Sequence, residues 1–246
     1  MGGRGNSSGL SGGSSGASPG QSPVRAADAK DLQELHSYMS SKYFVAVDDQ
    51  SLAKHDFESV RKAASEIEDI LTEFPQAVDH SVNLLSGNLY NALGKNAYAG
   101  ASLRGQIFMN DIFQDRQNLE NSYQHDLRTH WHPEGTTADH IVTHEMGHLL
   151  ERALIQKLNV SSWQEAEEWV KHRQSSRIVS EACKIAKKTP EGKGLKNNQL
   201  IEQVSRYATK NRGETLAECV ADYKANGANA KPLSVAVWKL LKRDLG

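Results

Sequence analysis

Thr143-His144-Glu145-Met146-Gly147-His148-Leu149-Leu150 is the stretch from which the rest of the chain is read. It holds H-E-x-x-H, two histidines four apart with a glutamate behind the first. Four residues of helix turn through about 400°, so His144 and His148 share one face, one turn apart. Two neutral imidazoles so placed can hold one Zn²⁺. Glu145 beside them can reach a water at the metal as general base. A helix with two ordinary surface histidines is the competing reading. It loses weight once a second motif, further along the chain, is counted.

The surrounding residues predict the helix. Thr136 is placed to cap it, with Asp139 in capping-box spacing. Ile141, Val142, Leu149, Leu150 and Leu154 carry the apolar periodicity. His130-Trp131-His132-Pro133-Glu134-Gly135 leads in as a loop. Its two histidines could approach the metal, but lining or capping a loop is the simpler role, because catalytic zinc rarely uses more than three protein ligands.

The second motif is Glu214-Thr215-Leu216-Ala217-Glu218. A catalytic zinc needs a third protein ligand and an open fourth position. Glu214 and Glu218 share a helix face, so one can bind metal while the other accepts from the free nitrogen of a ligating histidine. Alternatively, Glu214 closes a capping box opened near Asn211. The preceding helix is expected over Asn198–Thr209, with Tyr207 on its apolar side.

The 246 residues allow one large domain or two small ones, and a net charge of −1 gives no global attraction to nucleic acid or membrane. No apolar run is long enough to span a bilayer. Two cysteines make no disulfide framework, and Cys219 reads as a small buried apolar group. Residues 1–24, nearly all Gly, Ser and Pro, are expected to be a disordered leader without the apolar core of a secretory signal. Residues 25–246 are expected to form the domain, with its metal-site core at about 97–223.

Helices are expected over Ala27–Met39 and Asp56–Phe74, and a polar one over Asp115–Thr129. Strands are expected at Tyr43–Val47, within Ala77–Leu85, and at Gly105–Asn110. A helix starting at Ser161-Ser162 is expected to run to about Lys188, and another spans Pro232–Leu245. The lysines between Lys184 and Lys196 read as a solvated face, since no aromatic residues interleave with them as a nucleic-acid platform requires.

H-E-x-x-H followed by a glutamate on a later helix is similar to the gluzincin metallopeptidase pattern. The run Tyr207-Ala-Thr-Lys-Asn-Arg-Gly-Glu214-Thr-Leu-Ala-Glu218 resembles the catalytic domain of anthrax lethal factor and its relatives, in tyrosine-to-glutamate and glutamate-to-glutamate spacing alike. The resemblance covers about Ala97 to Tyr223 and departs from the family in a long segment between His148 and Glu214, which reads as an inserted helix. It implies an α+β, mostly helical zincin-like domain with a small mixed sheet. It implies Zn²⁺ on His144, His148 and Glu214, with Glu145 as base and then proton donor to the leaving amine. Tyr207 would donate to the oxyanion; spacing alone leaves it equally a packed aromatic. Glu218 would orient a histidine. The strand carrying Ile107 and Phe108 would bind a peptide or protein substrate at its edge.

The Gly/Ser-rich opening resembles segments of bacteriophage minor head proteins. This suggests phage-capsid or toxin-system partners and a cytoplasmic or virion-associated setting. The leading expectation is a zinc endopeptidase. The alternatives are a phage or mobile-element structural protein with a non-catalytic zinc site, and a zinc hydrolase of non-peptide amides.

Overall fold

The computed structural model describes residues 24–75, 82–87, 97–102, 104–158 and 171–246. Apart from Val24, the Gly/Ser-rich opening lies outside them, as does the predicted helix start at Ser161-Ser162. Helices α1 (Leu32–Tyr43), α2 (Asp49–Leu52) and α3 (Phe57–Glu73) alternate with the first strands, β1 (Ala46–Val47) and β2 (Asn83–Ser86). Strands β3 (Ala99–Ala101) and β4 (Gln106–Met109) follow, then helices α4 (Arg116–Arg128) and α5 (His140–Gln156). The remainder is helical: α6 (Ser175–Ala186), α7 (Asn197–Val204), α8 (Arg212–Asn226) and α9 (Pro232–Leu245). The described residues thus form a mostly helical α+β structure with a small mixed sheet.

Helix starts are marked by short acceptor side chains. Asp31, Asp56, Asp115 and Asn211 each accept the N–H three residues on, satisfying a donor that the first turn leaves free. The expected strand at Tyr43–Val47 shrinks to Ala46–Val47, because α1 runs on to Tyr43 and Phe44 ends it in the left-handed conformation (φ 57°).

The sheet order is β1-β2-β4-β3. β1, β2 and β4 are parallel, and β3 runs antiparallel to β4 with Gly100 opposite Phe108. β4 is therefore an interior strand. Ile107 is fully buried, Phe108 packs over Gly87, and neither lines the cleft described below. The expected open edge at Ile107 and Phe108 is corrected: both sides of their strand are already paired, and the free edge near the site belongs to β3.

α5 is the central helix. Every residue from Ile141 to Ile155 except His148 is buried, as expected of a helix covered all round. It packs against α8, α3 and β3. It starts at His140, a turn later than the Thr136 cap predicts. Thr136 is occupied elsewhere: its hydroxyl donates to the Pro133 carbonyl (2.6 Å) and accepts from the Tyr123 hydroxyl (2.9 Å). Asp139 instead meets the Arg116 guanidinium at 2.6 Å.

α9 packs against α6 and α8. Pro232 is in its first turn, and Leu233, Val237, Leu240 and Leu241 are buried. Trp238 is a packing residue, stacked on Tyr223 at 4.6 Å and edge-on to Phe74 at 5.0 Å. Cys183 and Cys219 are free and buried, and burial pushes the Cys219 thiol well up. No helix among the described residues is long and apolar enough to cross a membrane.

Candidate metal centre

α5 and α8 approach closely because Gly147 presents no side chain to the contact. A Cβ there would lie 2.7 Å from the Cα of Ala217. That proximity lets two glutamates one turn apart on α8 meet a single imidazole. Glu218 Oε1 lies 2.7 Å from His144 Nδ1, and Glu214 Oε2 lies 3.1 Å from His144 Nε2. Glu214 Oε2 is also 3.5 Å from His148 Nε2. An ionised carboxylate only accepts, so without a metal each His144 nitrogen faces an acceptor; with a metal in place of the proton toward Glu214, Nδ1–H would stay on Glu218 and Nε2 would be free to ligate.

One ligand atom from each of His144, His148 and Glu214 lies within 4.8 Å of the others. Metal–ligand bonds of 2.0–2.2 Å at tetrahedral angles separate the donors by about 3.4 Å. The observed 3.1 and 3.5 Å bracket that spacing. Two imidazoles and one carboxylate are a donor set suited to Zn²⁺, with a fourth position left for water or substrate. The residues fit a divalent metal, and the arrangement has the catalytic geometry of a zinc metallopeptidase.

Charge at the site follows from burial and pairing. Burial pushes the His144 imidazolium down, but Glu214 and Glu218 on its two nitrogens hold it well above the usual histidine range. Burial raises the Glu218 carboxyl, while His132 and His144 bring it down to about 2. Glu214, likewise opposed by burial, is held well below the carboxylate range by His144 and His148. Glu145 differs: burial dominates and raises it, against the pull of both histidines and of the Ala101 N–H.

A cleft of about 680 Å³ opens over these residues. β3 lines one side, through Ala99, Gly100 and Ala101, and Tyr207 and Trp131 line another. Tyr207 is not on α7 as its periodicity predicts. α7 ends at Val204, Ser205 is extended (φ −168°, ψ 165°), and Tyr207 opens a short 3-10 turn. Burial, then the charges of Glu214, Glu145 and Glu218, raise its hydroxyl pKa above the ordinary tyrosine value.

Glu145, Tyr207 and Glu218 thus converge with His144, His148 and Glu214, the three residues that could hold a metal, whereas Ile107 and Phe108 do not. Sequence reasoning missed Ser205, whose hydroxyl donates to Glu218 Oε2 at 2.7 Å. It also missed β3, whose Ala-Gly-Ala run carries neither β-branched residues nor alternation.

No protein-family model, curated protein or solved structure gives a significant match to the chain.

Proposed function

We propose that this chain is a zinc endopeptidase of the gluzincin type, in the manner of lethal-factor-like enzymes. The carrying observation is the convergence of His144, His148 and Glu214 at ligand-atom separations that suit tetrahedral zinc. A bound zinc ion supplies Lewis-acid chemistry, polarising a carbonyl and acidifying water. Glu145, buried beside the ligands with a raised pKa, takes the proton of the attacking water and passes it to the departing amine. Tyr207 keeps its proton at neutral pH and donates it in a hydrogen bond to the carbonyl oxygen as negative charge develops there. Glu218 orients His144.

β3 receives the substrate. It is the terminal strand of the sheet, it lines the cleft, and its small side chains let a peptide backbone lie close. An extended substrate segment can add to that edge through main-chain hydrogen bonds. The spacing of Tyr207, Glu214 and Glu218 supports the lethal-factor-like assignment. A phage-head or toxin-system setting rests on the composition of residues 1–24, and copurification with capsid or toxin partners is its test.

The deciding experiment pairs metal content with cleavage. Wild type should carry about one zinc per chain, and His144→Ala and Glu214→Ala should lose it. Glu145→Gln should keep zinc and lose hydrolysis of a peptide library. Normal cleavage by that variant would overturn the mechanism.

A further inference from the structure

His132 is neither one of the three candidate ligands nor one of the two groups assigned to the chemistry, yet its ring lies beside Tyr207 and Glu218. It stacks on Tyr123, with centroids 4.8 Å and planes 6° apart, and the Tyr207 ring is 5.9 Å away. Its Nδ1 lies 3.4 Å from Glu218 Oε1, the oxygen that already faces His144 Nδ1 at 2.7 Å. Ser205 occupies the second oxygen of Glu218. Because Glu218 accepts and does not donate, a hydrogen bond along this contact requires the His132 proton on Nδ1. Its Nε2 is buried without a hydrogen-bond partner. Glu218 is 1% exposed, so each donor it has must come from the protein around it.

The loop that presents His132 is tied down at several points. The Arg206 N–H donates to the His130 carbonyl (2.8 Å), and the Tyr207 N–H donates to the Trp131 carbonyl (3.1 Å). Asn226 Nδ2 donates to the Glu134 carbonyl at 2.8 Å. The first two bonds join the loop to the segment that carries Tyr207. The same short stretch therefore fixes the phenol and presents a donor to the carboxylate behind His144.

We infer that His132 is a positioning residue. It holds the Glu218 carboxylate in the orientation that receives the His144 Nδ1–H and leaves His144 Nε2 bare toward the metal. Through its loop, that orientation is joined to the backbone that places Tyr207. The inference rests on the zinc reading above and adds a residue to it. The contrasting role is a ring that only fills space beside Tyr123, and the two roles part when the donor is removed and the ring kept.

His132→Phe does this. In the full-length protein, the test is a Zn²⁺ titration against a chromophoric competitor, with the visible spectrum of the Co²⁺-substituted protein alongside. His132→Phe should keep the circular-dichroism spectrum and the metal-free Tm, bind Zn²⁺ about 10-fold more weakly, at the lower end of what loss of an outer-shell partner costs, and change the Co²⁺ bands. His132→Asn, whose amide N–H can reach toward Glu218, should restore much of the affinity. Unchanged zinc affinity and an unchanged Co²⁺ spectrum in His132→Phe would overturn the inference.

If His132→Phe does not fold, long-range ¹H–¹⁵N spectra of zinc-loaded wild type decide the matter. A proton on His132 Nδ1 supports the role, and a proton on Nε2 with bare Nδ1 overturns it. A wild type that takes up no zinc overturns the metallopeptidase reading and this one together. A zinc-loaded wild type beside an indifferent His132→Phe overturns this one alone.

Discussion

Gly147→Ala places a methyl group 2.7 Å from the Cα of Ala217 and 3.2 Å from its Cβ. Carbon atoms in contact sit about 3.5–4.0 Å apart, so the α5–α8 interface must open by about 1 Å. Trimming Ala217 cannot relieve this, because the nearest atom is backbone. Overpacking of this kind costs about 1–3 kcal/mol, and replacing a helical glycine by alanine returns about 1 kcal/mol. The net loss of about 0–2 kcal/mol lowers Tm by at most about 8 °C in a chain of this size.

The metal site is less forgiving. Glu214 sits one turn before Ala217 on the helix that is pushed away, and a zinc site tolerates about ±0.2 Å in its bond lengths. Gly147→Ala should therefore weaken zinc binding at least about 10-fold while the protein stays folded. Calorimetric zinc titration beside a thermal melt separates the two effects. A variant that melts higher than wild type and binds zinc as tightly would refute the interhelix spacing on which the site depends.

Glu218→Gln removes the charged acceptor shared by His144, His132 and Ser205; zinc affinity should fall about 10–100-fold, measured by competitive chelation. Chelating the bound metal should lower Tm, since a ligand present at 100 times its Kd stabilises by about 2.7 kcal/mol, or about 5–11 °C here; scanning calorimetry with and without chelator reads it. Glu68 gives a pH signature away from the site. Burial raises its carboxyl, but Tyr38, the Ala26 N–H, Tyr43 and Lys42 bring it below the usual value. A depressed folded pKa contributes stability above the unfolded value, and that contribution fades as pH falls through the folded one. Denaturant melts should therefore show Glu68→Gln less stable than wild type at pH 7, with the gap closing on acidification below about pH 4.5; a gap that widens would contradict the assignment.

The metal site was legible in sequence because helical periodicity turns residue spacing into geometry. His144 and His148, and Glu214 and Glu218, are i, i+4 pairs, so each pair had to share a face whatever the tertiary fold. What was not legible depends on tertiary competition for polar groups. Thr136 looks like a cap, but its hydroxyl is taken by Pro133 and Tyr123. Tyr207 continues the apolar period of α7, but Ser205 leaves the helix and turns its hydroxyl to Glu218 and the Ala208 N–H. The β-rich signal at Ile107 marks an interior strand, paired on both edges and buried at alternate residues. The strand beside the cleft, Ala99–Ala101, is small and featureless in sequence, with no β-branched or alternating side chains to mark it.

With β3 as the proposed substrate strand, its shortness would limit what can be cut. Three residues of strand span about 10 Å, enough for only a few main-chain bonds. A partner reaches those bonds only if its own amides and carbonyls are unengaged over the same length. Helical segments and interior strands of folded proteins are refused at this step whatever their side chains. Tails, exposed loops and unfolded chains pass, so selection by conformation comes before selection by sequence.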